Sequence, residues 1–140
     1  MDLTEALQRG YFTALQPLGY QVYSAYSVPE PVEYPFILIG TITSNQVGVD
    51  RPCVIHEAFV TIDIVTGFLS PLGRAQALTI SAQVENVINP DSGTSFPIPS
   101  PWTNTGTTLQ NSGTLESKSN NYYIYRVVKT YRHLISKNNG

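Results

Sequence analysis

The sequence predicts an α+β fold: a mainly antiparallel sheet with a long hairpin, two helices packed on one sheet face, and a long irregular insertion before the last strand. Three observations carry this. Two sheet-like runs, Tyr34 to Val49 and Cys53 to Val65, stand side by side, each longer than the usual strand of about five or six residues. A helical pattern follows from Ser70 to Asn89. A further aromatic and basic run, Tyr122 to Ile135, lies near the C-terminus. A chain of 140 residues suits one domain, 1–140, and buries enough surface, roughly two-thirds, to need no disulfide or metal staple.

Taken in order, residues 2–18 read as an amphipathic helix. Leu3, Ala6, Leu7, Gly10, Tyr11, Ala14, Leu15 and Leu18 recur at helical spacing. Asp2 with Glu5 resembles a capping box, and Gly19 is placed to end the helix in a left-handed turn. Gln21 to Tyr26 is a short strand or edge segment, and Pro29, Pro31 and Pro35 hold the next connection extended. Phe36 to Ile39 is apolar at every position, which places that strand centrally or under cover on both faces. Ser44 to Asp50 is polar and is expected to project beyond the core. Asp50-Arg51-Pro52 reads as the hairpin tip, since proline has no place in a central ladder.

The partner run alternates: Val54, His56, Ala58, Val60, Ile62 and Ile64 point one way, Glu57, Thr61 and Asp63 the other, as in a half-buried strand. Ser70-Pro71 opens the second helix as N-cap and first-turn proline. Gly73, Ala77, Ile80, Val84, Val87 and Ile88 form its apolar stripe, and Asn89-Pro90 stops it. Residues 90–121 are rich in proline, then in Thr, Asn, Gly, Gln and Ser. So long a connection is usually functional or disordered. It is expected to be a loop or arm that adds little to the core, with a weak hairpin over Thr107 to Lys118. Trp102, the single tryptophan, anchors it to the body or to a partner, the body being preferred. In the last run Tyr123, Tyr125, Val127, Tyr131 and Ile135 share one face, and Ile124, Val128 and Leu134 the other. Helices are expected on one side and another subunit on the other.

Charged residues are 13% of the chain, about half the typical 25%, while tyrosine numbers nine. Charge depletion with tyrosine enrichment marks interface cores; compositional bias of the source is the alternative. Residues 1–116 hold all ten acids and three arginines, a balance of −7, and residues 117–140 hold five basic residues and no acid. The split fits a nucleic-acid patch, complementary faces of neighbouring subunits or, most simply, a basic strand paired with acidic neighbours inside one domain. Asp2, Glu5 and Gln8 interrupt any signal-peptide core, and no stretch approaches the roughly 20 apolar residues of a membrane helix, so a soluble, leaderless protein is expected.

Catalytic equipment is sparse. One cysteine excludes an internal disulfide and a cysteine-based zinc cluster. Cys53 and His56, three apart on a strand, point to opposite faces and do not form a nucleophile–base pair. His56 reads as a satisfied core or interface histidine. With His133 it makes no metal spacing. Asp63 and Glu57 are about 20 Å apart along the strand, too far for paired-carboxylate chemistry. Tyr123, Tyr125 and Tyr131 beside Arg126 and Arg132 imitate a base-stacking platform, but a net charge of −2 opposes phosphate binding. No catalytic, cofactor or metal site is expected, and the protein is not expected to be an enzyme. The interface candidates are Trp102, Tyr123, Tyr125, Arg126 and Arg132.

This order of elements resembles the tail terminator, or tail-completion, proteins of long-tailed bacteriophages. The resemblance rests on the helix Asp2–Leu18, the strand Tyr34-Pro35-Phe36-Ile37-Leu38-Ile39, the alternating strand His56 to Val65, the helix Ser70–Asn89, and the final strand Tyr122–Ile135. It implies a homo-oligomeric ring, expected to hold six copies, that caps the tail tube and joins it to the head connector or neck protein. It further implies a virion location in the tail or neck after assembly in the host cytoplasm. No membrane and no sequence-specific nucleic acid are expected as partners, although DNA is free to pass through such a ring. Another neck, tube or head-completion protein is the alternative. No ligand residue carries over, because function in that family lies in surfaces.

Overall fold

A computed structural model describes residues 1–25, 27–30, 32–50, 53–69, 73–119 and 121–138. The expected hairpin tip at Arg51-Pro52 and the expected helix cap at Ser70-Pro71 lie outside the described residues. The element order is α1 (Leu3–Leu15) followed by a 3-10 turn (Gln16–Leu18), β1 (Gln21–Ser24), β2 (Phe36–Asp50), β3 (Cys53–Phe68), α2 (Gly73–Ile88), β4 (Trp102–Ser119) and β5 (Tyr122–Asn138). The sheet order is β1-β2-β3-β5-β4. The β1–β2 pair is parallel and the other three are antiparallel.

The N-terminal helix forms as the pattern predicts. The Asp2 carboxylate accepts the Glu5 backbone N–H at 2.8 Å, satisfying one of the orphan amides of the first turn. The 3-10 turn ends at Gly19, whose φ is 85°. Leu3, Ala6, Leu7, Tyr11 and Leu15 are buried. They meet the buried stripe of α2, namely Ala77, Ile80, Val84 and Ile88, in one apolar cluster with the sheet. The first helix lies on β2 and α2, and the second on β3 and β5.

Alternation on the central strands decides which sheet face the helices take. Ala58, Val60, Ile62 and Ile64 of β3 are fully buried, as are Tyr131, His133 and Ile135 of β5. The register Ile62↔Lys129 and Ala58↔His133 sets even positions of β3 beside odd positions of β5 on the helix side. The opposite face, with Glu57, Phe59, Thr61, Asp63, Arg126, Val128, Thr130 and Arg132, is half-buried and carries no helix. Among the described residues, it is covered at its upper end, near Gly67. There the Tyr34 ring lies on Gly67, where an added Cβ would fall 2.7 Å from the ring, and next to Phe36 and Tyr122 at centroid distances of 5.7 and 6.0 Å.

The α+β class with two helices on one face is as predicted; the irregular insertion is not. Residues 102–119 form β4, paired with β5 from Trp102↔Lys137 to Ser119↔Tyr122, so Thr107 to Lys118 is not a separate arm. Periodicity failed because this strand has little apolar residue to alternate: Ser112 to Lys118 are exposed on both faces. Its Thr-rich sequence keeps β-propensity without hydrophobic contrast. Nor is the preceding stretch idle. Phe96 is 7% exposed and stacks edge-on with Tyr11 at 4.9 Å, and Ile98 packs on the same cluster.

Candidate assembly surface

The most concentrated chemistry lies inside the molecule, between the helices and β5. Tyr11 of α1 and His133 of β5, both fully buried, meet with Tyr11 Oη 2.5 Å from His133 Nε2. On the other side, His133 Nδ1 is 3.3 Å from Asn104 Oδ1 and 3.1 Å from Thr107 Oγ1. Asn104 Nδ2 donates to the Phe96 carbonyl, which turns Oδ1, a pure acceptor, toward the imidazole. Nδ1 therefore carries the proton, and Nε2 accepts from the tyrosine hydroxyl. Burial lowers the His133 pKa to about 4, so the ring is neutral at pH 7. Burial also raises the Tyr11 pKa well above its ordinary value.

A second cluster adjoins it. Tyr131 Oη donates to Glu85 Oε2 at 2.5 Å, and Lys129 Nζ donates to the same oxygen at 3.1 Å. Burial tends to raise the Glu85 pKa, but hydrogen bonds from Tyr131, Lys129 and Asn89 outweigh it and hold the carboxyl below its usual value. Both clusters bind a helix to β5, and both are closed to solvent at Tyr11, His133 and Tyr131. Sequence reasoning set His133 aside for want of a metal spacing, and its actual partners lie 26 to 122 residues away. The available signal was a histidine at an odd position of β5, in line with Tyr131 and Ile135.

The interface candidates separate. Trp102 is 7% exposed; its Nε1 donates to the Met1 carbonyl at 3.2 Å, its ring meets His56 edge-on at 5.2 Å, and Lys137 lies over it. These contacts hold it against the body. Tyr125 is 5% exposed and faces the helix layer. Tyr123, 37% exposed with Lys118 over its ring, remains at the surface, as do Arg126 and Arg132 on the open face. The arginines are engaged within the protomer: Arg132 Nε is 2.6 Å from Glu57 and Arg126 Nη1 is 3.4 Å from Asp63. Burial still raises the Asp63 pKa despite Arg126, so that longer, partly exposed pair is the weaker of the two. With Lys129 on Glu85, three basic residues of β5 meet acids of their own chain, which favours the simplest of the three readings of the charge split.

His56 is half-buried against Trp102; the side chain of Cys53 lies outside the described residues. Among the described residues no cluster of three metal-ligating side chains occurs, and no helix is long and apolar enough to cross a membrane.

One face of the sheet also remains outward. The open face combines matched ion pairs, the Thr61–Thr130 hydroxyl contact at 3.3 Å and the apolar side chains of Ile55, Phe59, Val128 and Leu134. At its upper end Val28, Val32, Leu38, Val65, Leu115 and Ile124 line a shallow groove. Both outer edges of the sheet are accessible. Together these define the molecule as one whose exposed features are surfaces.

No protein-family model and no curated protein sequence matches the chain. Among solved structures, the chain is similar to one described as "Virion of native gene transfer agent (GTA) particle", with a TM-score of 0.75 at 16% sequence identity, covering 96% of this chain and 97% of that one. The two share a fold from end to end.

Proposed function

We propose that this chain is a structural protein of a phage-like virion and acts as a tail terminator. Six copies form a ring that caps the tail tube and joins it to the head connector or neck protein. The observation that carries the reading is the end-to-end fold likeness to a chain of a gene transfer agent particle. It agrees with the element order that resembles tail terminators. A non-enzymatic role is supported by the placement of the titratable groups: the densest set, around Tyr11, His133 and Tyr131, has no exposed member among those three. In this reading the protein needs no cofactor, resides in the tail or neck after assembly in the host cytoplasm, and lets DNA pass without reading its sequence. Tyr123, Arg126 and Arg132 remain candidates for contact with neighbours.

The fold likeness names a particle and no part of it, so a neck, tube or head-completion component is the second reading. Deleting the coding sequence separates them. Loss of a terminator yields heads without tails alongside tubes of uncontrolled length; loss of a head-completion protein leaves tails of normal length. An electron-microscopy map placing one copy, or no rotational symmetry, at this protein refutes the ring.

A further inference from the structure

The two long edges of the sheet are different and accessible, and each has a long stretch without charge or proline. On one side β1 covers only Phe36 to Ile39 of β2. From Thr41 to Val49 no described strand lies on the outer side, and Thr43 to Val47 are exposed. On the other side β4 is the outermost strand over its whole length, Trp102 to Ser119. Each free stretch is longer than a usual strand of about five or six residues. Proteins commonly guard such edges with charge or proline. Thr41 to Val49 and Trp102 to Leu115 contain neither.

Three basic residues of β5 pair with acids of their own protomer, so those three are not needed for a contact between copies. Each edge is also bent twice, with breaks in register between Ile39 and Ile42 and between Gln46 and Gly48 of β2, and between Asn104 and Gly106 and between Leu109 and Asn111 of β4. Such bulges increase local twist. They disfavour pairing with a flat, unrelated strand while giving the curvature that a closed sheet requires.

Strand direction completes the argument. Because β2, β3, β5 and β4 are successively antiparallel, β2 and β4 of one copy run in opposite directions. A rotation about an axis roughly along the strands preserves those directions. It brings β2 of one copy beside β4 of the next in antiparallel order, like every other pair among these four strands. Two unlike edges make a heterologous contact, which closes into a ring when the rotation closes.

We propose that copies of this chain join edge to edge, Thr41 to Val49 of β2 pairing antiparallel with β4 of the next copy, so that the sheets become continuous around the ring. The proposal rests on the ring reading above and names the contact that builds it. The test is amide deuterium exchange of the assembled chain, in particles or isolated tails, against the same chain as a single copy, with the copy number read from a particle map. In the ring, amides of 41–49 and of the stretch of 102–115 that it faces are expected to slow at least tenfold. A ring of several copies in which either segment exchanges as fast as in the single copy overturns edge pairing and leaves the ring standing. A two-copy species slowed in β4 alone shows a symmetric dimer and overturns both, as does a single copy per particle.

Discussion

Replacement of His133 by Gln isolates the energetic effect of the buried imidazole. The histidine pKa falls from 6.5 to about 4 on folding, a difference of roughly 2.5 units, and each unit corresponds to about 1.4 kcal/mol. The folded state disfavours the proton, so the unfolded chain binds more protons between those two pH values. Stability from this group is complete above about pH 6.5 and falls as the pH drops toward 4. The full loss is about 3 kcal/mol, borne by a ring held between Tyr11, Asn104 and Thr107. Urea unfolding of parent and His133→Gln from pH 7.5 to 4 reads the effect. The parent is expected to lose about 3 kcal/mol more over this range than the variant, whose amide donates to Asn104 and accepts from Tyr11 without titrating. Parallel pH profiles refute the reasoning. If the variant does not fold, the imidazole resonances of the parent decide: protonation of His133 near pH 6.5 in the folded state is the refuting result.

Gly10→Ala ordinarily stabilises a helix interior by up to about 1 kcal/mol. Here the new methyl falls 2.6 Å from Ile98 Cγ2 and 3.3 Å from the Pro97 carbonyl, so thermal melting is expected to show a loss of about 1–3 kcal/mol, with the clash removed in the double variant that also carries Ile98→Ala. Glu85→Gln leaves the Lys129 ammonium, 7% exposed, without its counter-charge, whereas Lys129→Met leaves Glu85 bonded to Tyr131 and Asn89. Glu85→Gln is therefore expected to be the more damaging in denaturant titrations, by about 1–2 kcal/mol after allowance for the partial exposure of Glu85; the reverse order refutes this account. Trp102→Ala is expected to cost about 3–5 kcal/mol as a body anchor, and a variant that melts like the parent but fails to assemble shows instead an outward role.

Both helices and β3 were legible because each carries a period, and β2 because Phe36 to Ile39 is apolar without interruption. The stripe from Leu3 to Leu18 repeats at helical spacing, and Val54 to Ile64 alternate against charged neighbours. The cap at Asp2 and the stop at Gly19 were legible because the chemistry is local. Strand β4 was not legible, since a strand whose outer half is exposed on both faces has no hydrophobic contrast to read. Lys129 and His133 interrupt the apolar face of β5, so its alternation read as poor; both side chains are buried because Glu85, Tyr11 and Asn104 meet them from elsewhere in the chain. Trp102 was expected to anchor the body, and Met1, His56 and Lys137 show how it does so. The interface candidates were legible only as chemistry types, and of the five Trp102 and Tyr125 are buried within the protomer.

The open sheet face has a consequence for anything that moves along it. Its described strand positions present Glu57 and Asp63 against Arg132 and Arg126, each acid already within 3.4 Å of its own guanidinium. Binding of a polyanion draws strength from cations that displace its condensed counterions, and these cations are balanced by adjacent acids. A nucleic-acid strand crossing this surface finds hydroxyls and apolar side chains between neutralised pairs. Such a surface offers a polyanion little electrostatic grip.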